Sequence, residues 1–141
     1  VRQRVRAGAE KCEEQCVHEG AVARSQSLLK NDETYVRLAE IFGALADSSR
    51  AKIIHLLVHE ELCTCDIAAA LGMSDSSVSQ HLRILRALRL IRSRRAGKFV
   101  YYNLDDAHVT MLVQIGLAHQ GHEDELAAPV GGAVGLQAAV S

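Results

Sequence analysis

Tryptophan is absent from this 141-residue chain, aromatic residues make up 4%, and Pro129 is the single proline. A core without large rings must be built of Leu, Ile, Val and Ala, which argues against a β-sandwich and for helices. Long apolar runs are lacking too. The Ala/Gly-rich stretch of residues 127–140 is too short to cross a bilayer, and there is no secretory hydrophobic segment. The expectation is a cytoplasmic protein with no membrane partner and no small organic substrate. Positive charge is missing from the last third: residues 99–141 hold no Lys or Arg and five acids. Residues 74–98, by contrast, hold seven basic side chains and one acidic, a concentration that the net charge of −1 conceals. A basic footprint confined to one stretch is what contacts to phosphates need.

The apolar pattern marks out the elements. Residues 1–31 are polar and weakly periodic and carry Cys12, Cys16 and His18; they read as a flexible cysteine-containing arm with some helix. Val36, Leu38, Ile41, Phe42 and Leu45 recur at helical spacing from Thr34 to Ala46. Asp47 is placed to cap a helix that buries Ile53, Ile54 and Leu57. A short helix from Leu62 to Leu71 stops at Gly72, and Ser74 caps a longer one with Val78, Leu82, Leu85 and Leu88 as its inner stripe. Two such helices with a tight Gly-containing turn make a helix-turn-helix. The second would present Ser76, Ser77, Ser79, Gln80, His81 and Arg83 to a major groove. Residues 90–104 change to β-branched and aromatic residues around Ala96-Gly97, a hairpin or wing with Arg94, Arg95 and Lys98 near its tip. A final helix from Asp105 to His119 is apolar over more than one face, so a second subunit is its simplest cover. The predicted architecture is mainly α with a β-hairpin wing: a winged helix-turn-helix, homodimeric through its terminal helices. Residues 32–123 form the DNA-binding and dimerisation domain, and residues 124–141 a disordered tail.

Two constellations carry chemistry. In a reducing compartment four cysteines read as metal ligands rather than disulfides. Cys12 and Cys16 lie one helical turn apart. Cys63 and Cys65 fall in Glu61-Leu62-Cys63-Thr64-Cys65-Asp66, at a helix start where both can turn inward. Together they would form a soft site for Cd(II), Pb(II) or Zn(II), with His18 as a spare ligand. The plainer alternative is that Cys63 and Cys65 are ordinary buried cysteines. The second set is Asp106, His108, His119 and His122, beside Glu123. His108 and His119 are separated by about 16 Å of helical rise, so one straight helix cannot close the site. Two antiparallel copies across a twofold axis can, giving a Zn(II) site between subunits. Here the alternative is solvated polar residues at helix ends. His55 and His59, four apart, read as a partly exposed face.

With Glu61-Leu62-Cys63-Thr64-Cys65-Asp66 and Ser79-Gln80-His81-Leu82-Arg83-Ile84-Leu85 in this order of elements, the chain resembles the ArsR/SmtB family of metal-sensing winged-helix repressors over residues 10–123. The arm Lys11-Cys12-Glu13-Glu14-Gln15-Cys16-Val17-His18 resembles its CadC-like branch of cadmium, lead and zinc sensors. The resemblance implies a homodimer that binds a palindromic operator of double-stranded DNA when metal-free. Metal releases the DNA and derepresses efflux or resistance genes. It also implies that Cys12, Cys16, Cys63 and Cys65 join the arm to the reading domain, and that Asp106, His108, His119 and His122 lie between the two final helices. Some relatives carry Glu where this chain has His122. A rival reading is a thiol-based redox or arsenical sensor repressor using Cys63 and Cys65. An enzyme is not expected, since nothing suggests a substrate pocket. A constitutive DNA-binding protein with structural metal is the remaining rival; a chelator would unfold it rather than strengthen DNA binding.

Overall fold

The computed structural model describes residues 12, 14 and 16–121, and the chain divides into two units at Tyr35 and Val36. His122, Glu123 and the expected tail of residues 124–141 lie outside the described residues, as does most of the arm before Cys16.

In the first unit, helix α1 (Glu19–Leu28) is exposed along its length. Helix α2 (Asp32–Leu45) begins two residues before the expected Thr34, because Asn31 Oδ1 accepts from the Thr34 amide at 2.9 Å and caps it. The second unit takes up α2 from Val36. Helix α3 (Ser48–His59) starts at Asp47, whose carboxylate accepts from the Arg50 amide at 3.0 Å. Strand β1 (Leu62–Cys63) leads into α4 (Thr64–Leu71), and α5 (Asp75–Ala87) follows. The turn between α4 and α5 holds Gly72 at φ 63, a left-handed cap that suits a residue without a Cβ. Ser74 Oγ accepts from the Ser77 amide and opens α5. At the far end of α5, Arg89 takes φ 57 and the Leu90 amide bonds back to the Leu85 carbonyl at 3.0 Å, a tight stop made without glycine.

Strands β2 (Ile91–Ala96) and β3 (Phe99–Leu104) form the expected hairpin, with Gly97 at φ 61 in its turn. One strand has no counterpart among the expected elements. Leu62 pairs with Tyr102 and Cys63 with Tyr101, so β1 joins the hairpin in a three-stranded antiparallel sheet of order β1-β3-β2. Helix α6 (Ala107–His119) is capped by Asp106, which accepts from the His108 and Val109 amides.

The core is aliphatic. Ile53, Ile54, Ile67, Val78, Leu82, Leu85, Leu90, Ile91 and Val109 are buried, and Tyr102, Leu104 and Leu62 pack against them from the sheet. Burying each such side chain contributes about 1.5–3 kcal/mol before entropy is subtracted. Leu88, expected inside, is only half-buried at the end of α5. Among the described residues no helix is long and apolar enough to cross a membrane.

Candidate nucleic-acid interface and effector sites

Helix α5 packs its Val78–Leu82–Leu85 stripe against α3 and α4 and turns the opposite face outward. Ser76, Ser79, Gln80 and Arg83 are exposed there. Ser77 and His81, expected to be exposed, are half-buried. The Ser77 amide and hydroxyl bond to Ser74 Oγ, so Ser77 belongs to the cap. His81 Nδ1 is buried without a hydrogen-bond partner, and the ring lies near enough to Asp47 to help hold that carboxyl below its ordinary value. The Arg50 amide is the larger cause of that shift. His81 is thus half-buried on α5, with one ring nitrogen shielded from solvent.

Arg86 and Tyr102 are functional candidates that the sequence pattern does not single out. They line a cleft of about 490 Å³ between α5 and β3, with Ser79, Leu82, Arg83 and Ala87. A signal for Arg86 does exist: Ser79, Arg83 and Arg86 follow one helical face. On the wing, Arg95, Lys98 and Phe99 are exposed around the turn. Arg94 sits further down β2, opposite Tyr101, and its guanidinium is bonded to Glu61.

The cysteines differ sharply. Cys63 is 8% exposed and is the N-cap of α4; Cys65, two residues on, is exposed. They do not both turn inward. The Cys63 thiol donates to Asp66 Oδ2 at 3.0 Å, and the Cys63 amide donates to the same oxygen at 3.3 Å. The carboxylate beside it pushes the Cys63 thiol up from its ordinary value, while the thiol and amide donors pull Asp66 down. Cys12 and Cys16 are exposed within the first unit.

On α6, His108 Nδ1 lies 3.3 Å from Asp106 Oδ1, and both are exposed. His119 is the last residue of the helix and also exposed. Among the described residues no three His, Cys, Asp or Glu side chains converge on a point where a metal ion could sit. The donor types suit Zn(II) or a softer ion, and among the described residues of α6 and its cap Asp106 and His108 come together while His119 lies at the other end of the helix. The same helix shares with α2 and α3 an apolar groove of about 450 Å³, lined by Phe42, Leu45, His55, Leu112, Val113 and Leu117 among others. His55 therefore faces a groove, while its neighbour His59 is exposed with ring centroids 5.4 Å apart. Phe42 and Ile115 are 51% and 62% exposed.

Known proteins resemble this chain in sequence and in fold. A transcriptional repressor SmtB homolog of Synechocystis is 42% identical over 80% of this chain and 86% of its own length. A cadmium resistance transcriptional regulatory protein CadC homolog of Staphylococcus aureus is 41% identical over 77% and 90%. The homodimeric winged helix-turn-helix DNA-binding domain of a possible ArsR-family regulator from Mycobacterium bovis superposes with a TM-score of 0.60 at 27% identity, covering 66% of this chain and 89% of that one. The family model described as bacterial regulatory protein, arsR family, matches residues 47–93, the span from the Asp47 cap to the wing's first strand. The capped reading helix, the wing and the extent of these matches agree: the chain belongs to the ArsR family, whose members are DNA-binding transcriptional regulators and not enzymes.

Proposed function

We propose that this protein is a metal-responsive repressor of the cytoplasm. As a homodimer it holds a palindromic operator when metal-free, and it releases the operator when Cd(II), Pb(II) or Zn(II) engages its thiols, so that efflux or resistance genes are expressed. The observation that carries this reading is the position of Cys63 at the N-cap and Cys65 in the first turn of α4, the helix packed against the reading helix α5. The relatives named as an SmtB repressor homolog and a cadmium resistance regulator support it.

In this reading Ser76, Ser79, Gln80 and Arg83 meet base edges and phosphates in the major groove, and Arg95 and Lys98 meet the backbone beside it. Arg86 adds a phosphate contact from the cleft below α5. Cys12 and Cys16 complete a soft site with Cys63 and Cys65. A bound ion there supplies the positive charge that keeps the sulfurs as thiolates. Cys63 must give up the proton it now shares with Asp66, which makes capture at this thiol more favourable as pH rises. Asp106 and His108 of one subunit, with His119 and His122 of the other, form the harder site suited to Zn(II). The exposed apolar surface of α2 and α6 supports the dimer this requires. Linkage demands that an effector weaken DNA binding by as much as DNA weakens effector binding, about 1–3 kcal/mol in ordinary cases.

The test is a Cd(II) titration of the reduced protein on operator DNA, following ultraviolet thiolate-to-metal absorption and DNA release together. Release in step with sulfur absorption is the expected result. Sulfur absorption without release moves the switch to Asp106, His108, His119 and His122. No sulfur absorption removes the four-cysteine site. The exposure of Cys65 favours, as second reading, an arsenical or redox sensor using Cys63 and Cys65. A response that survives replacement of the histidines of α6, and that As(III) or peroxide elicits without Cd(II), would select it.

A further inference from the structure

Glu61 is not among the residues with an assigned role, yet its carboxylate is the most heavily engaged on the wing side of the molecule. It immediately precedes β1. Its Oε1 accepts from the Arg94 guanidinium, from Nε at 2.7 Å and from the terminal nitrogen as well. Its Oε2 accepts from Asn103 Nδ2 at 2.9 Å, and Asn103 Oδ1 in turn accepts from Arg92 Nε at 3.0 Å. The Arg94 guanidinium also lies over the Tyr101 ring, 5.1 Å from its centroid. The register explains the convergence: Arg94 is opposite Tyr101 and Tyr101 opposite Cys63, while Arg92 is opposite Asn103, so these side chains share one face of the sheet.

A single exposed ion pair contributes little. This one is a two-toothed guanidinium–carboxylate contact with a third partner on the free oxygen, which gives it fixed geometry. Each partner's titration is displaced in the sense that favours the charged pair, Glu61 downward and Arg94 upward, each chiefly by the hydrogen bond to the other. Two guanidinium nitrogens converge on one anionic oxygen, an arrangement that an oxygen of a phosphate diester can also satisfy. Arg94 remains 57% exposed, so a DNA phosphate can reach it only in competition with Glu61.

We propose that Glu61 restrains DNA binding: it stands in for a phosphate, occupies Arg94, and leaves the wing's contact with the DNA backbone to its tip, Arg95 and Lys98. Phosphate contacts carry no sequence information, so withholding one lowers binding to any DNA while the base-reading face of α5 is untouched. Glu61 thereby weakens operator and random sites alike and makes binding less sensitive to salt. This rests on DNA binding alone and is independent of which ion or thiol acts as the trigger.

The experiment is a double-mutant cycle on the metal-free full chain: wild type, E61Q, R94Q and E61Q/R94Q, each titrated onto a short mixed-sequence duplex at several salt concentrations. With Arg94 occupied, R94Q in the wild-type background leaves the salt slope nearly unchanged. In the E61Q background, Arg94 becomes a new phosphate contact, steepening the slope by about 0.9, or about 3.5-fold more affinity lost over a fourfold rise in salt. Removing Arg94 there abolishes the gain. A pure net-charge effect would give R94Q the same consequence in both backgrounds, and that result overturns the proposal. So does a clear flattening by R94Q alone, a reading that needs no Glu61 variant to fold. The same cycle with E61A covers the case in which the amide introduced by E61Q keeps a hydrogen bond to Arg94, and an additive cycle in both series ends the proposal.

Discussion

The reading module and the α2–α6 face are built to opposite standards. From Asp47 to Leu104 helix starts are capped, the left-handed stops are in place and the aliphatic stripe is closed, with Ile53, Ile54, Ile67, Val78 and Leu85 at 0% exposure. Across α2 and α6, Phe42, Leu112 and Ile115 stand in the open beside an apolar groove. One region finishes its burial within a single chain and the other does not. In the proposed homodimer the DNA reader would be carried on a scaffold whose final geometry is left to association, which is where an effector would act at least cost.

Substitutions can break that contrast. Leu85→Ala in the closed region should cost about 2–5 kcal/mol in urea unfolding, since a cavity is left where nothing can collapse easily. Ile115→Asp in the open region should abolish dimerisation in sedimentation experiments while the helical circular dichroism signal persists. If I115D unfolds the chain as L85A does, the two regions are not separate in the way described. Within α5 the exposed and half-buried faces should divide in the same manner. Gln80→Ala should reduce discrimination between operator and mismatched sites by about 1–3 kcal/mol. His81→Ala should reduce thermal stability with discrimination kept, and an operator-specific loss in H81A would return His81 to the reading face. Ser74→Ala removes the α5 cap and should cost about 1 kcal/mol in stability with the salt dependence of DNA binding unchanged.

The smallest effect is on pH. Asp66 titrates below its ordinary 3.8 in the fold, so its contribution is present above that pH and is lost as pH falls through the folded value. Cys63 titrates above its ordinary 9.0, so its contribution is present below pH 9.0 and is lost as pH rises through the folded value. Asp66→Asn should flatten the acid limb of a stability–pH profile, and an unchanged limb would show that the Cys63–Asp66 contact is not kept in solution.

Local chemistry makes most of the fold legible. Asp47, Gly72, Ser74 and the turn around Gly97 each act on residues within four positions, and the elements they bound stand where expected. What escapes has partners far along the chain. Strand β1 is two residues long and exists only because β3, 38 positions later, pairs with it at Cys63 and Tyr101. Arg94 reads as a free wing cation in the sequence because Glu61, 33 positions earlier, gives no local sign of reaching it. The candidate sites are legible as donor types and not as assemblies: Cys63 and Cys65 are two residues apart with unlike exposure, and His108 and His119 occupy opposite ends of α6.

The hydrogen on Cys63 Sγ has an architectural task. It closes the ring of contacts with Asp66 from which α4 starts, and α4 is the floor on which α5 rests. Ionisation, alkylation or oxidation at this sulfur would each take that hydrogen away and leave a carboxylate facing an atom with nothing to donate. The first helix of the DNA reader thus begins on a hydrogen bond that chemistry at one sulfur atom would undo.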